Sequence, residues 1–159
     1  MPAQERTPDF ALFLALLATA LSLGGALAHA FELPTKLTLP RTDYFIVQQI
    51  YSGWDKLIVL LGAQLIGILA TLYCFRTMRS VFRPALAALV FLALAQIVFW
   101  AFTFPANNVT ANWTAIPDNW EAVRARWEFS HLAGAACQVL AMISLIVAAL
   151  AARRRPAVG

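Results

Sequence analysis

Cysteine, histidine and charge are all scarce in this chain. Two cysteines with no Cys-x-x-Cys give neither a disulfide framework nor a thiol redox pair. Two histidines cannot by themselves fill a four-ligand zinc site. Charged residues are 13% of the 159, about half the share of an ordinary soluble domain. Hydrophobic residues are 61% and the mean hydropathy is +0.70. These values exclude a disordered chain and a surface-rich soluble enzyme. The net charge of +4 does not indicate a nucleic-acid partner, because the basic residues sit in short clusters beside apolar runs.

Those apolar runs dominate what is present. Four of them, over 10–30, 57–75, 85–104 and 132–152, each approach the ~20 residues that cross a bilayer as a helix. They are apolar all round, and a backbone in lipid must bond to itself. The expected fold is all-α: one domain over 1–159, an integral membrane four-helix bundle in contact with the lipid bilayer. Acidic residues are missing from two segments. The link 76–83 holds Arg76, Arg79 and Arg83, and the tail holds Arg153, Arg154 and Arg155. The positive-inside rule puts both in the cytoplasm, with both termini, and the mixed-charge links 31–56 and 105–130 outside. Glu5, Arg6 and Asp9 leave the N-terminus weakly charged. Ala28-His29-Ala30 matches a signal-peptidase site, but its ~20-residue apolar stretch exceeds the usual core, so the first span is expected uncleaved.

Two short helical segments are expected outside. Pro34 and Pro40 punctuate an extended stretch, after which Thr42 is placed to cap a helix. Tyr44, Gln48, Tyr51 and Asp55 then share one face, with a soft point at Gly53. In the second link, Asp118 and Glu121 resemble a capping box. Trp120, Arg124, Trp127 and His131 follow on one face. Interfacial anchoring is the plain reading of these aromatics. Asn108-Val109-Thr110 and Asn112-Trp113-Thr114 match the glycosylation pattern but carry little weight in an Ala/Arg-rich, bacterial-looking chain.

Both histidines fall at outer span ends, each three residues from a glutamate: His29 with Glu32, and Glu128 with His131. An i, i+3 pair lies on one helix face, and paired Glu-x-x-His helices hold metal ions in some bundles. Asp55 lies at the same level. Three roles are open for this group. The plain one pairs Glu128 with Arg124 and leaves the histidines at the polar interface. The second is ligation, either of a metal by His29, Glu32, Glu128, His131 and Asp55 or of a haem by the two histidines. The third is a general base or proton relay needing no cofactor. Below them Ser22, Gln64, Gln96 and Gln138 fall at one depth, either as interhelical hydrogen bonds or as a cavity floor. Cys74 and Cys137 differ too much in depth for a disulfide.

Several strings carry a resemblance: Leu33-Pro34-Thr35-Lys36, Val47-Gln48-Gln49-Ile50-Tyr51 with Gly53-Trp54, Phe102-Thr103-Phe104-Pro105-Ala106-Asn107, Asn112-Trp113, and Arg126-Trp127-Glu128-Phe129-Ser130-His131. The chain resembles a family of small bacterial four-span membrane proteins of unknown function, related to the fungal anthrone oxygenase family. The resemblance covers nearly the whole chain, through short motifs. It implies a four-helix bundle in the bacterial inner membrane and an oxygenase that converts an anthrone to an anthraquinone with O₂ and no obvious cofactor. His131, Trp127 and Asn107 carry over to the candidate site.

The leading expectation is therefore a small oxygenase or related oxidoreductase acting on a planar, lipophilic phenolic or quinone-like molecule in an outward-facing pocket. His131 or His29 is the base, and Arg124 or Arg126 lies near the developing negative charge. Tyr44, Tyr51, Trp54, Trp113, Trp120 and Trp127 hold the ring. Asn107 and the amides of Gln64, Gln96 and Gln138 complete the binding set. The alternatives are a non-catalytic lipophile-binding or haem-binding module and, last, a small carrier, which would need an intramembrane charge or a broken helix.

Overall fold

The computed structural model describes residues 3–154, with side chains from residue 7 onward. The side chains of Glu5 and Arg6, and all of Arg155, lie outside the described residues. The elements are α1 (Ala3–Lys36), α2 (Arg41–Gln48), 3₁₀ turns at Gln49–Tyr51 and Trp54–Leu57, α3 (Ile58–Cys74), α4 (Arg79–Val98), a π-helical stretch at Phe99–Thr103, α5 (Phe104–Val109) and α6 (Trp120–Ala152). Among the described residues there is no strand. Four helical stretches are long and apolar enough to cross a membrane: Thr7–Lys36, Trp54–Cys74, Arg79–Val109 and Trp120–Ala152. Side chains such as Phe10, Ile66, Ile97 and Leu150 remain exposed around the bundle. A soluble bundle would turn polar residues outward there.

The helices run longer than the apolar runs alone predict. Helix α1 continues through Pro34 to Lys36, where an extended stretch was expected. A proline in the last turn removes a single intrahelical bond, and the Leu37 amide still bonds the Leu33 carbonyl at 3.0 Å. Thr42 does not cap α2. The Pro40 carbonyl already accepts the Tyr44 amide at 2.9 Å, so Pro40 is the N-cap and α2 starts two residues earlier. The soft point at Gly53 is a full break: φ is +87°, a conformation that favours glycine. The expected second outer helix is the first part of α6, one 33-residue rod. Asp118 and Glu121 form no capping box, because Asn119 occupies the N-cap, with no side-chain cap bond.

Around the bundle the order is α1, α3, α4, α6. Small residues set the tightest approach. A Cβ built on Gly67 of α3 would lie 2.6 Å from the Ala15 backbone nitrogen of α1. At the arginine end the core is aliphatic, built around Ala15, Ile68, Ala88, Ala141 and Leu145. At the opposite end a second core is aromatic: Tyr44, Phe45, Trp113 and Trp127. That end carries the polar chemistry.

Candidate functional site: an imidazole pair under an aromatic cap

His29 projects from α1 and His131 from α6, and their rings meet with centroids 4.2 Å apart. The His131 Nδ1 lies 2.9 Å from the Trp127 carbonyl oxygen. A carbonyl only accepts, so Nδ1 carries the hydrogen, and a neutral ring then has its lone pair on Nε2. Trp127 backs His131 at 3.9 Å between centroids. His29 is wrapped by Tyr51 at 4.5 Å, Trp127 at 5.1 Å and Trp54 at 5.2 Å. Its Nδ1 is buried without a protein partner.

A buried ion pair sits one layer further out. Lys36 Nζ lies 3.0 Å from Glu128 Oε1, with Lys36 2% exposed and Glu128 fully buried. The ammonium faces the Trp127 ring at 4.4 Å and the Tyr51 ring at 4.5 Å. It also donates to the Tyr51 hydroxyl at 3.0 Å, and that hydroxyl donates to Glu32. Tyr44 donates to Glu128 Oε1 at 2.9 Å and accepts from Gln48 at 2.5 Å. Burial and the adjacent Glu128 carboxylate push the Tyr44 phenol far above its ordinary range. Burial and the hydrogen bond to Glu32 do the same to Tyr51. Both phenols are therefore neutral donors.

Asn107 fixes the aromatic wall. Its Oδ1 accepts from the indole of Trp127 at 2.8 Å and from that of Trp113 at 3.1 Å. Indole N–H groups only donate, so the amide orientation is set and its nitrogen stays a donor on the cavity wall. Trp113 reaches this position through three successive left-handed residues, Ala111 at φ +48°, Asn112 at +55° and Trp113 at +66°. Such backbone costs energy for non-glycine residues and persists where surroundings over-determine it. Here Thr110 Oγ1 accepts the Trp113 amide at 3.1 Å, and Gln49 donates to the Trp113 carbonyl at 2.8 Å.

Two cavities meet at the imidazoles. The outer one holds about 750 Å³, walled by Tyr51, Trp54, Asn107, Trp113 and Trp127, with an exposed rim at Ser52, Gly53, Asp55 and Asn112. The inner one holds about 160 Å³ and is mostly apolar, with Ser22, Gln96, Ser130 and Gln138 among its polar lining. His29, His131, Phe99 and Thr103 line both. Phe99 and Thr103 open and close the π-helical stretch, a distortion frequent at functional sites.

Several expected site residues stand elsewhere. Arg124 lines neither cavity. It donates to the Leu39 carbonyl at 2.9 Å and stacks on Trp120, bracing the corner after α1. Nor does it pair with Glu128, which faces Lys36 instead. Arg126 is exposed. Trp120 packs against Tyr44 and Phe45, away from the cavities. Gln64 is bonded to Gln138 at 2.9 Å and serves as interhelical glue, whereas Gln96 faces the inner cavity. The carboxylates and imidazoles do not form a metal cluster. Among the described residues no three His, Cys, Asp or Glu side chains gather closely enough to hold an ion. The reason is electrostatic: Glu32 and Glu128 turn to Lys36. The two imidazoles touch, so as placed they leave no layer for a porphyrin between them.

Lys36 was missed. Read as a loop residue after Pro34, it gave no signal. Once α1 runs through that proline, His29, Glu32 and Lys36 fall at i, i+3 and i+7 on one face.

Fold and site together define a helical bundle with four membrane-length apolar helices, carrying an imidazole pair between an aromatic cavity and an apolar one. Compared with protein-family models, with curated proteins and with solved structures, the chain finds no match.

Proposed function

We propose that the chain is a four-span protein of the bacterial inner membrane, with both termini in the cytoplasm, and that it oxygenates a planar, lipophilic phenolic substrate such as an anthrone. The resemblance to the anthrone oxygenase relatives motivates the substrate class. One observation carries the chemistry: His131 holds its hydrogen on Nδ1 against the Trp127 carbonyl and stands at the base of an aromatic cavity. An oriented imidazole is a general base with a defined lone pair.

The tricyclic ring stacks among Trp54, Tyr51 and Trp127. His131 Nε2 takes a proton from the ring CH₂ and leaves a delocalised carbanion. The Asn107 amide nitrogen donates to the ketone oxygen as it gains charge. The carbanion's electron pair reduces O₂ as a C–O bond forms. Loss of water with cleavage of the O–O bond leaves the second carbonyl. One CH₂ and one O₂ give one C=O and one H₂O, with no other reductant. Lys36 and Glu128 keep the aromatic wall in position rather than touching the substrate.

The test uses the purified chain in liposomes with anthrone. The wild type should accelerate anthraquinone formation over protein-free liposomes. His131→Ala and His131→Gln should lose that acceleration while keeping the melting temperature. Equal rates in wild type and both variants would reject the base. Saturable binding of anthrone without turnover in the wild type would replace the oxygenase by a lipophile-binding module.

A further inference from the structure

We infer that the inner cavity is a separate binding site for an oxygen-substituted six-membered ring, a quinone or its quinol, that enters sideways from the hydrocarbon phase between α3 and α4. The site extends the proposed oxygenase but does not depend on its chemistry.

Size is the first argument. A dry apolar cavity of about 150 Å³ accepts benzene, and the inner cavity holds about 160 Å³. It takes one ring and excludes a tricyclic one. Polarity is the second. Ser22 Oγ and His29 Nδ1 are both buried without a protein partner. They belong to residues that line this cavity from one face of α1, at i and i+7. Ser22 therefore lies ~10 Å deeper than His29 along the axis. Gln96 adds a partly exposed amide from α4. Buried polar atoms are rarely left single, because each costs roughly as much as a lost hydrogen bond. Oxygens on a ring would satisfy these groups, while Ala26, Leu61 and Ala95 contact its apolar body.

The route is the third argument. Helices α3 and α4 are joined by the short turn at 75–78, yet of the four neighbouring pairs they touch least. They therefore splay away from that turn. The cavity lies on the splayed side, between Leu57 and Leu61 of one edge and Ala95, Gln96 and Phe99 of the other. Leu57, on one lip of that seam, is 38% exposed. A tail attached to the ring can remain among lipid chains.

The experiment titrates the detergent-purified full chain with a benzoquinone carrying one isoprene unit, read by quenching of tryptophan fluorescence. Gly134 lines the cavity and has nothing within 4 Å of an added Cβ, so Gly134→Leu fills the space without a backbone clash. Gly62 is equally open but lies off the cavity, so Gly62→Leu is the control. Saturable quenching is expected. It should weaken at least ~10-fold in Gly134→Leu and ~5-fold in Ser22→Ala, and should be unchanged in Gly62→Leu. Lengthening the isoprenoid tail should not weaken binding, because the tail leaves through the seam. Repeating the titration with dithionite-reduced quinol separates the two redox forms, and binding of either supports the site. Absence of saturable quenching by both forms would overturn the inference, as would equal affinity in Gly134→Leu. Loss of binding on adding the longer tail would overturn the lateral route. Anthrone turnover is a separate readout, so failure of the oxygenase leaves this titration interpretable.

Discussion

Removing one partner of the Lys36–Glu128 pair should be the most damaging single change outside the bundle core. Two opposite charges 3.0 Å apart attract by about 5 kcal/mol at an effective dielectric constant of ~20. Desolvating each ion costs several kcal/mol, so the intact pair contributes little beyond what an apolar pair of the same volume would. A lone survivor keeps the desolvation cost without the attraction. Glu128→Ala leaves Lys36, only 2% exposed, with the partly exposed Glu32 at 3.9 Å as its remaining carboxylate. Lys36→Ala leaves a fully buried carboxylate with Tyr44 as its remaining donor. Lys36→Ala should cost about 3–5 kcal/mol, lowering the melting temperature on the order of 10 °C, and Glu128→Ala less, because Glu32 still faces the ammonium. Lys36→Met combined with Glu128→Leu should recover most of that loss. The assay is thermal unfolding of the purified variants in one detergent, arranged as a double-mutant cycle. Single variants within ~1 kcal/mol of wild type, or a double variant as unstable as the two losses added, would refute the reasoning.

Other expectations follow from specific contacts. Gly67→Ala should destabilise by about 1–3 kcal/mol, because its Cβ would meet the Ala15 backbone at 2.6 Å, while Gly134→Ala should be near neutral; chemical unfolding of the two variants makes the comparison. Asn107→Leu removes the acceptor of two indoles and should cost about 1–3 kcal/mol with a shift in tryptophan emission. Gln64→Leu should destabilise by about 1 kcal/mol through the partner it strands, and Gln64→Leu with Gln138→Leu should recover it. Reporters fused at Gly159 and near Pro84 should read cytoplasmic, and one near Pro117 external. An external signal at Gly159 would reverse the topology.

The helices were legible because bilayer length and all-round apolarity are strong, local signals. Their ends were not. Pro34, Asp118 and Thr42 carry local boundary signals that did not hold: α1 continues through Pro34 into the buried Lys36 layer, Asn119 rather than Asp118 is the N-cap of α6, and Pro40 rather than Thr42 that of α2. The convergence of His29 and His131 followed from their shared depth at span ends. The charge pairing was misread because Arg124, four residues before Glu128, is the basic residue on the same helix face, whereas Lys36 is nearest in space. Aromatic side chains were correctly gathered at one end, but which of them face a cavity depends on rotation about each helix. That separates Trp127, which lines the outer cavity, from Trp120, which does not.

The most direct test of the oxygenase reading is the fate of ¹⁸O₂. Wild-type chain in liposomes, given anthrone under ¹⁸O₂, should return anthraquinone with one labelled carbonyl per molecule, and His131→Ala should return no more than protein-free liposomes. Unlabelled product, or label appearing equally fast in wild type and His131→Ala, would contradict oxygenation by the oriented imidazole.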